Sequence, residues 1–348
     1  MDNVVASNDG VVYSVAGVTD NGLTAAGYAY HPDRQAWTRI ADLPQAIEAP
    51  VGAFVDGRLY VAGGWDANGN PTSATYAYDP ARNIWARVAD LPAPVAIGAA
   101  TSVDGQLYVV AGCATAECTP ASSATFRYDP GTNAWTKLAD YPQDVVFLAC
   151  APASHGLVCA GGLTPLASYP YEEVTAATYQ YVAGTNVWTR VADMPYADWG
   201  MAYTGEGGQL QVVGGIVDGA VTNQASQFDP ATGGWSALPN AVNALYRGGA
   251  ACGLYRVGGS LPSASGLDPA PYAEQLPGYD DCVSGSDVAW LSTSSSQVDV
   301  PPGRTVTVTV ALAAPMDAAL GEYDARLAVT TDTPYPISPV PVALTVRR

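Results

Sequence analysis

The sequence predicts an all-β protein built from repeated four-stranded sheets, and three observations point to it. Five copies of one phrase pair an aromatic residue with a tryptophan seven residues later: Tyr30 and Trp37, Tyr78 and Trp85, Tyr128 and Trp135, Tyr181 and Trp188, Phe228 and Trp235. An apolar run ending in two small residues precedes each copy: Ala16-Gly17, Gly63-Gly64, Ala111-Gly112, Gly161-Gly162 and Gly214-Gly215, with a sixth pair at Gly258-Gly259. Successive tryptophans lie 48, 50, 53 and 47 residues apart. A period near 50 residues indicates a repeat architecture.

The second repeat shows how each unit is expected to fold. Two short apolar runs are joined by Asp56-Gly57, which is a strong signal for a two-residue hairpin. Asp79-Pro80 starts a later turn, because Pro fixes φ and Asp accepts local backbone hydrogen bonds. The four predicted strands are Val51 to Val55, Arg58 to Ala62, Ala74 to Tyr78 and Asn83 to Val88.

One small antiparallel sheet cannot bury both of its faces alone. We therefore expect the repeated Tyr and Trp side chains to pack between successive sheets arranged radially around an axis. This interpretation makes the recurrent aromatic residues core rather than a ligand-binding stripe.

The recurring pattern of apolar strand, Gly pair, Tyr and Trp resembles a kelch-repeat β-propeller over about Val4 to Asp281. The resemblance implies a six-bladed propeller, which we assign to residues 1–283. The sixth copy has Gly258-Gly259 but lacks the Trp, and the first copy begins at strand one. Three closures stay open: a three-stranded sixth sheet, completion by Cys282 to Trp290, or removal of residues that preceded the chain.

Residues 284–348 are predicted to form a small immunoglobulin-like β-sandwich. Alternation over Thr305 to Val310, Tyr323 to Thr330 and Val340 to Val346 is typical of strands. Trp290-Leu291-Ser292 and Gly321-Glu322-Tyr323 resemble immunoglobulin-like modules of secreted bacterial proteins. A propeller followed by such a module resembles the C-terminal accessory region of large extracellular bacterial proteins. This implies further domains of a parent chain, or copies of the chain itself, as partners.

The net charge of the chain limits the classes of partner that are expected to bind it. The net charge is −18 and the pI is about 4.1, which argues against nucleic acid and anionic membrane surfaces. No run of about 18 apolar residues is present, so membrane insertion is not expected. Met1-Asp2-Asn3 has no signal-peptide features, so a secreted form would be a mature or trimmed chain.

The six cysteines form three geometrically sensible pairs: Cys113 with Cys118, Cys150 with Cys159, and Cys252 with Cys282. This predicts disulfides and an extracellular or cell-surface location, with six reduced buried thiols as the alternative. No metal or cofactor is predicted. Copper oxidases that resemble galactose oxidase need two His and two Tyr at the metal, whereas His31 and His155 both fall in repeat turns.

Long loops on one face of the propeller carry side chains that the repeat does not require. The candidate ligand-binding residues are Trp65, Tyr169, Tyr171, Asp198, Trp199, Tyr246 and Arg247. Aromatic groups with scattered acids and one Arg suit sugar stacking or peptide capture.

The leading functional hypothesis is an extracellular binding module that recognises a carbohydrate or protein ligand on this face and has no catalysis of its own. One alternative is an enzyme, of the lyase or sugar epimerase type, that uses the central pocket with Asp198 or Glu172 as general base. The other is a structural unit of a cell-surface layer or filament.

Overall fold

The computed structural model describes residues 1–32, 34–153, 156–167, 172–206, 208–251, 255–263, 266–275, 291–293, 300, 304–313, 321–327 and 340–347. Every regular element among these residues is a β-strand. Accordingly, no described segment forms a helix that could cross a membrane. The chain divides into two compact units, Met1–Cys282 and Val283–Arg348, and each is described by itself.

Blades 1 to 3 of the first unit are four-stranded antiparallel sheets. Blade 1 pairs β1-β2-β5-β6 and carries a small loop hairpin, β3-β4. Their strands are β1 (Val4–Asn8), β2 (Val11–Val15), β3 (Val18–Thr19), β4 (Gly22–Leu23), β5 (Gly27–His31), β6 (Ala36–Ile40), β7 (Val51–Val55), β8 (Arg58–Ala62), β9 (Thr75–Asp79), β10 (Ile84–Arg87), β11 (Ala99–Val103), β12 (Gln106–Gly112), β13 (Ser122–Asp129) and β14 (Ala134–Lys137).

Blades 4 to 6 continue the pattern with sheets β15-β16-β19-β20, β21-β22-β25-β26 and β27-β28-β31, each with a loop hairpin. Their strands are β15 (Ala149–Ala153), β16 (Gly156–Ala160), β17 (Leu163–Pro165), β18 (Glu172–Val174), β19 (Thr178–Val182), β20 (Val187–Arg190), β21 (Ala202–Glu206), β22 (Gln209–Val213), β23 (Ile216–Val217), β24 (Ala220–Val221), β25 (Ala225–Asp229), β26 (Gly234–Leu238), β27 (Gly249–Ala251), β28 (Tyr255–Val257), β29 (Ser260–Ser263), β30 (Gly266–Pro269) and β31 (Ala273–Glu274).

The predicted hairpin of the second repeat is confirmed. Asp56 and Gly57 have φ values of 47° and 74°, so both occupy the left-handed region that a two-residue hairpin turn requires. The first copy does begin at strand one, because β1 pairs with β2 at the edge of the first sheet.

The repeated aromatic residues are core, as predicted. Tyr78, Tyr128, Tyr181 and Phe228 are among the largest fully buried side chains. One hydrophobic cluster joins Tyr60 of blade 2 to Tyr128 of blade 3, whose ring centroids lie 5.4 Å apart. The cores therefore lie between neighbouring blades, which is why one sheet depends on the next.

A hydrogen-bond triad, here called the interblade latch, fastens consecutive blades. In blade 3 the Asn133 Oδ1 atom accepts hydrogen bonds from the Tyr128 hydroxyl and from the backbone N–H of Ala89, each at 2.8 Å. The Trp135 indole N–H donates to the Ala89 carbonyl at 2.8 Å. Equivalent latches are formed by Tyr78, Asn83 and Trp85 on Ala41, and by Tyr181, Asn186 and Trp188 on Ala139.

Six backbone hydrogen bonds form a closed circle around the propeller axis. One residue from each connection into a first strand takes part, and each donates its N–H to the carbonyl of the preceding member. We call these residues the axial ring: Asp2, Ala49, Ile97, Phe147, Gly200 and Arg247, joined by N···O distances of 2.6–3.2 Å. The bond from Asp2 to Arg247 joins blade 1 to blade 6, so the propeller closes with six blades. Three strands of the sixth sheet are described, and Cys282 to Trp290 lies outside the described residues.

Two of the predicted disulfides are present. Cys113 and Cys118 staple one loop with a Cα–Cα distance of 4.9 Å. Cys150 and Cys159 face each other across β15 and β16, with a Cα–Cα distance of 4.2 Å. The third predicted pair, Cys252 with Cys282, lies outside the described residues.

The second unit shows four described strands in two antiparallel pairs: β32 (Leu291–Thr293) with β33 (Val310–Leu312), and β34 (Gly321–Leu327) with β35 (Val340–Val346). The strand predicted over Thr305 to Val310 is wrong, because strand structure starts only at Val310. Side chains of residues 304–313 are almost all exposed, so their alternation has no buried face to match. The immunoglobulin-like sandwich itself stays a prediction.

Candidate functional site

The connections into the first strands share one local geometry. In the connections into blades 2 to 6, one residue pairs with the residue that follows the small pair after the second strand of the same blade, and the next residue belongs to the axial ring. Glu48 pairs with Trp65 through two backbone hydrogen bonds of 3.0 and 2.8 Å. The equivalent bridges are Ala96 with Cys113, Val146 with Leu163, Trp199 with Ile216, and Tyr246 with Ser260. The long loops and the axial ring therefore meet on one face, as predicted, and we call the surface at their centre the axial mouth.

The axial ring residues share an unusual backbone conformation. Asp2, Ala49, Ile97, Phe147 and Arg247 have φ values of 48–57°, and Gly200 has 69°. Five different side chains are accepted here, so the conformation itself does not select the residue type. The side chains at these six positions can therefore differ between blades without breaking the ring.

Arg247 is held by two carboxylates from other blades. Its Nε donates to Asp2 Oδ1 at 2.7 Å, and its terminal nitrogen contacts Asp2 Oδ2 at 2.6 Å and Glu48 Oε1 at 2.8 Å. The guanidinium carbon also lies 5.2 Å from the ring centroid of Phe147. Contacts to blades 1, 2 and 4 from a residue at the start of blade 6 place this guanidinium across the axis.

Gly200 makes room for that arrangement. A Cβ atom added there would lie 3.6 Å from Arg247 Cγ and 3.7 Å from Tyr246 Cδ2, in ordinary van der Waals contact. Any larger side chain would need the space that the Arg247 stem occupies on its way to the axis. The space beside the Arg247 stem therefore admits a Cβ atom but not a longer side chain at position 200.

Burial shapes the ionisation of this network. Burial raises the pKa of Asp2 to about 6, although the Arg247 guanidinium opposes the shift. The same two carboxylates outweigh burial at Arg247 and raise the pKa of its guanidinium. When both carboxyls are ionised, they place two negative charges beside the guanidinium, and burial lowers the pKa of the neighbouring Met1 ammonium.

Three aromatic side chains form an arc beside the charged network. Phe147 and Trp199 have ring centroids 5.3 Å apart, and Trp199 meets Tyr246 edge-on at 5.9 Å. All three are partly exposed. Trp65 belongs to the same apolar cluster as Phe147 and Trp199. The axial mouth is thus apolar and aromatic on one side and charged on the other.

Asp198 lies behind this surface, not on it. It is 1% exposed and occupies the position that Ile47, Val95, Val145 and Leu245 fill in other connections. Burial raises the pKa of its carboxyl to about 7, and backbone N–H groups of Trp199 and Ile216 oppose the shift. A Cβ atom at position 215 would lie 2.8 Å from Asp198 Cγ, so the glycine there makes room for the carboxyl.

The structure brings four of the predicted site residues close to the axis: Trp199, Tyr246 and Arg247 at the axial mouth, and Trp65 in the adjoining cluster. Tyr169 and Tyr171 lie outside the described residues. Sequence reasoning missed Asp2, Glu48, Phe147 and Gly200. The signal that could have found them is an alignment of the connections across the repeats, at the position that follows each bridging residue. Among the described residues, no cluster of His, Cys, Asp and Glu could hold a metal ion.

Comparisons with known proteins agree with this architecture. The Kelch motif matches residues 50–92 and 98–140, which are blades 2 and 3. The solved structure titled "Structure of YjhT" superimposes with a TM-score of 0.61 at 17% sequence identity, covering 78% of this chain and 93% of that chain. At that identity the likeness shows the fold alone. No curated protein matches the sequence. The chain therefore carries Kelch motifs in a six-bladed β-propeller.

Proposed function

We propose that this chain is an extracellular binding module whose ligand occupies the axial mouth and is a carbohydrate. The observation that carries the proposal is the aromatic arc of Phe147, Trp199 and Tyr246 beside the carboxylates of Asp2 and Glu48. Aromatic faces stack on the C–H face of a sugar, and carboxylates accept hydrogen bonds from its hydroxyl groups. A protein segment is the competing ligand and is distinguished by the test below.

The extracellular location is supported by the two disulfides. Disulfides persist in oxidising compartments and are rare in the cytosol. The pair Cys150–Cys159 is almost fully buried between β15 and β16, so it is part of the blade core and not a surface feature.

An enzyme on the same face is the second candidate, and one observation favours it. Asp2 is a carboxyl at the axis whose pKa is raised to about 6, which suits a general base near neutral pH. Both of its oxygens contact Arg247, however, so the base would have to be released before it could take a proton. Turnover of a bound sugar that is lost in Asp2→Asn while binding persists would favour this candidate.

The test is a combined glycan and peptide array, followed by titration of the best ligand into the purified chain. We expect glycan binding that falls more than tenfold, about 1.4 kcal/mol, in Trp199→Ala. The matched control is Tyr28→Ala, which removes an exposed aromatic side chain from β5, away from the axial mouth. Binding of peptides alone would replace the carbohydrate, and equal affinity of both variants would overturn the axial mouth as the site.

A further inference from the structure

We propose that the axial mouth selects uncharged sugars and rejects carboxylated ones, because its guanidinium is already paired with two carboxylates. The inference rests on the proposed function and specifies the ligand class of that site. Arg247 would ordinarily mark a receptor for acidic groups, since guanidinium binds carboxylates in a bidentate manner. Here its contacts point to the opposite role.

Two of the three guanidinium nitrogens of Arg247 are engaged before any ligand arrives. Its Nε and one terminal nitrogen contact Asp2 and Glu48 at 2.6–2.8 Å, and its guanidinium carbon lies 5.2 Å from the ring centroid of Phe147. The Arg247 side chain is only 13% exposed and that of Asp2 only 2%. An acidic ligand would have to displace a buried carboxylate from its partner, and this leaves a buried charge uncompensated.

The network also repels anions at longer range. The side chains place two carboxylates against one guanidinium, burial lowers the pKa of the neighbouring Met1 ammonium, and the chain as a whole carries −18. A sugar carboxylate at the axial mouth meets this charge in a partly desolvated environment, where Coulomb energies exceed those in water. An uncharged sugar has no such penalty.

The same geometry supplies what an uncharged sugar needs. The guanidinium lies across the axis, so the ligand rests on the surface and does not enter a deep channel. Trp199 and Phe147 present partly exposed rings on one side. The Glu48 side chain is 26% exposed on the other side and can accept hydroxyl hydrogen bonds while its Oε1 stays with Arg247.

The test compares neutral, uronic-acid-bearing and sialylated glycans on one array, using the wild-type chain and Glu48→Gln. The Gln side chain keeps an oxygen acceptor for Arg247 but removes the excess negative charge. We expect the wild-type chain to bind neutral glycans and to ignore acidic ones. In Glu48→Gln, the ratio of acidic to neutral glycan binding should rise about three- to tenfold relative to the wild-type chain.

Glu117→Gln is the matched control, because it removes one negative charge from an exposed loop position outside the network. It should leave the acidic-glycan signal unchanged. As a second measurement, acidic-glycan binding to the wild-type chain should increase between 50 mM and 500 mM salt, because screening weakens the repulsion.

The outcomes separate the two proposals. Wild-type binding of acidic glycans at or above the level of neutral ones, with both lost in Trp199→Ala, would overturn this inference and keep the axial mouth as the site. An equal gain in Glu48→Gln and Glu117→Gln would also overturn it. Absence of binding to every glycan and peptide would overturn both proposals.

Discussion

Replacing Asn133 by Gly tests the interblade latch. The substitution keeps the backbone conformation, because Asn133 has φ 51° and the equivalent residue in blade 5, Gly233, has φ 68°. It removes the one oxygen that accepts hydrogen bonds from both the Tyr128 hydroxyl and the Ala89 N–H. Any loss of stability therefore reports the latch and not a strained backbone.

The magnitude depends mainly on Tyr128. Its side chain is 1% exposed, and burial raises its pKa to about 12, so a hydroxyl that loses its acceptor there is poorly hydrated. A buried donor without a partner costs about 1–3 kcal/mol, and the Ala89 N–H lies at a more exposed position. We expect Asn133→Gly to lower the free energy of unfolding by about 2 kcal/mol.

Tyr128→Phe removes the hydroxyl that Asn133→Gly leaves without an acceptor. The loss of unfolding free energy in the double variant Asn133→Gly/Tyr128→Phe should therefore be smaller than the sum of the two single-variant losses, by at least about 0.5 kcal/mol. Blade 5 already has this combination, with Phe228 and Gly233 at the equivalent positions. Urea unfolding monitored by tryptophan fluorescence measures the cycle, and hydrogen exchange at the Ala89 amide shows whether the contact is lost locally. Asn133→Asp, which keeps the acceptor, is the control. Strict additivity of the two substitutions would refute the latch as a coupled unit.

Three further predictions concern other parts of the propeller. Because folding raises the pKa of Asp198 to about 7, the native state binds its proton more tightly than the unfolded chain, so stability should fall from about pH 4 to pH 7 by up to about 1.4 kcal/mol per pH unit. Asp198→Asn should reduce this slope in urea titrations, most clearly between pH 6 and 7, because Asp2, whose pKa is raised to about 6, contributes a slope of the same sign at lower pH. The variant should exceed the wild type in stability at pH 7, and a pH profile parallel to that of the wild type would contradict the assignment. Trp85→Phe should cost about 1–3 kcal/mol in the same assay, because it removes the indole N–H that donates to the Ala41 carbonyl at 2.9 Å and also reduces the ring packing against Tyr78. Non-reducing peptide mapping should recover a Cys150–Cys159 linkage, and free thiols at both positions would count against an oxidising compartment.

Much of the fold could be predicted because the repeat displays the same physical requirement several times. Three features recur at a fixed period: the turn at Asp56-Gly57, the small residues at Gly63-Gly64 and the buried Tyr78. Because several copies agree, a chance match in one copy does not affect the prediction. The register of β15 and β16 followed from the same alignment and placed Cys150 opposite Cys159. The second unit has no repeated pattern. There the alternation at Thr305 to Val310 led to a wrong strand prediction.

The site was harder to predict because its residues come together only through ring closure. Asp2 and Arg247 are 245 positions apart, yet a backbone hydrogen bond of 2.8 Å and an ion pair join them. Sequence reasoning identified Arg247 as a scarce cation but could not see that Asp2 and Glu48 would neutralise it. It also placed Asp198 beside the channel. The apolar residues at the equivalent positions of the other connections indicate instead that this position is buried.

Departures from the repeat pattern are concentrated on one side of the propeller. This asymmetry separates the blades that hold the regular latches from the blades beside the candidate site. Blades 2 to 4 hold complete latches, whereas blade 5 keeps only the bond from Trp235 to Ala192, at 3.0 Å, and Trp37 of blade 1 is 39% exposed. Among the described residues, the buried charged side chains fall in the same part of the circle, at Asp2, Asp198 and Arg256, with the largely buried Arg247 beside them. The Kelch motif matches only blades 2 and 3, within the half that keeps the regular latch. A closed ring tolerates this division because each blade is held by its neighbours and by the axial hydrogen bonds, so the regular half can stabilise a half that departs from the repeat pattern.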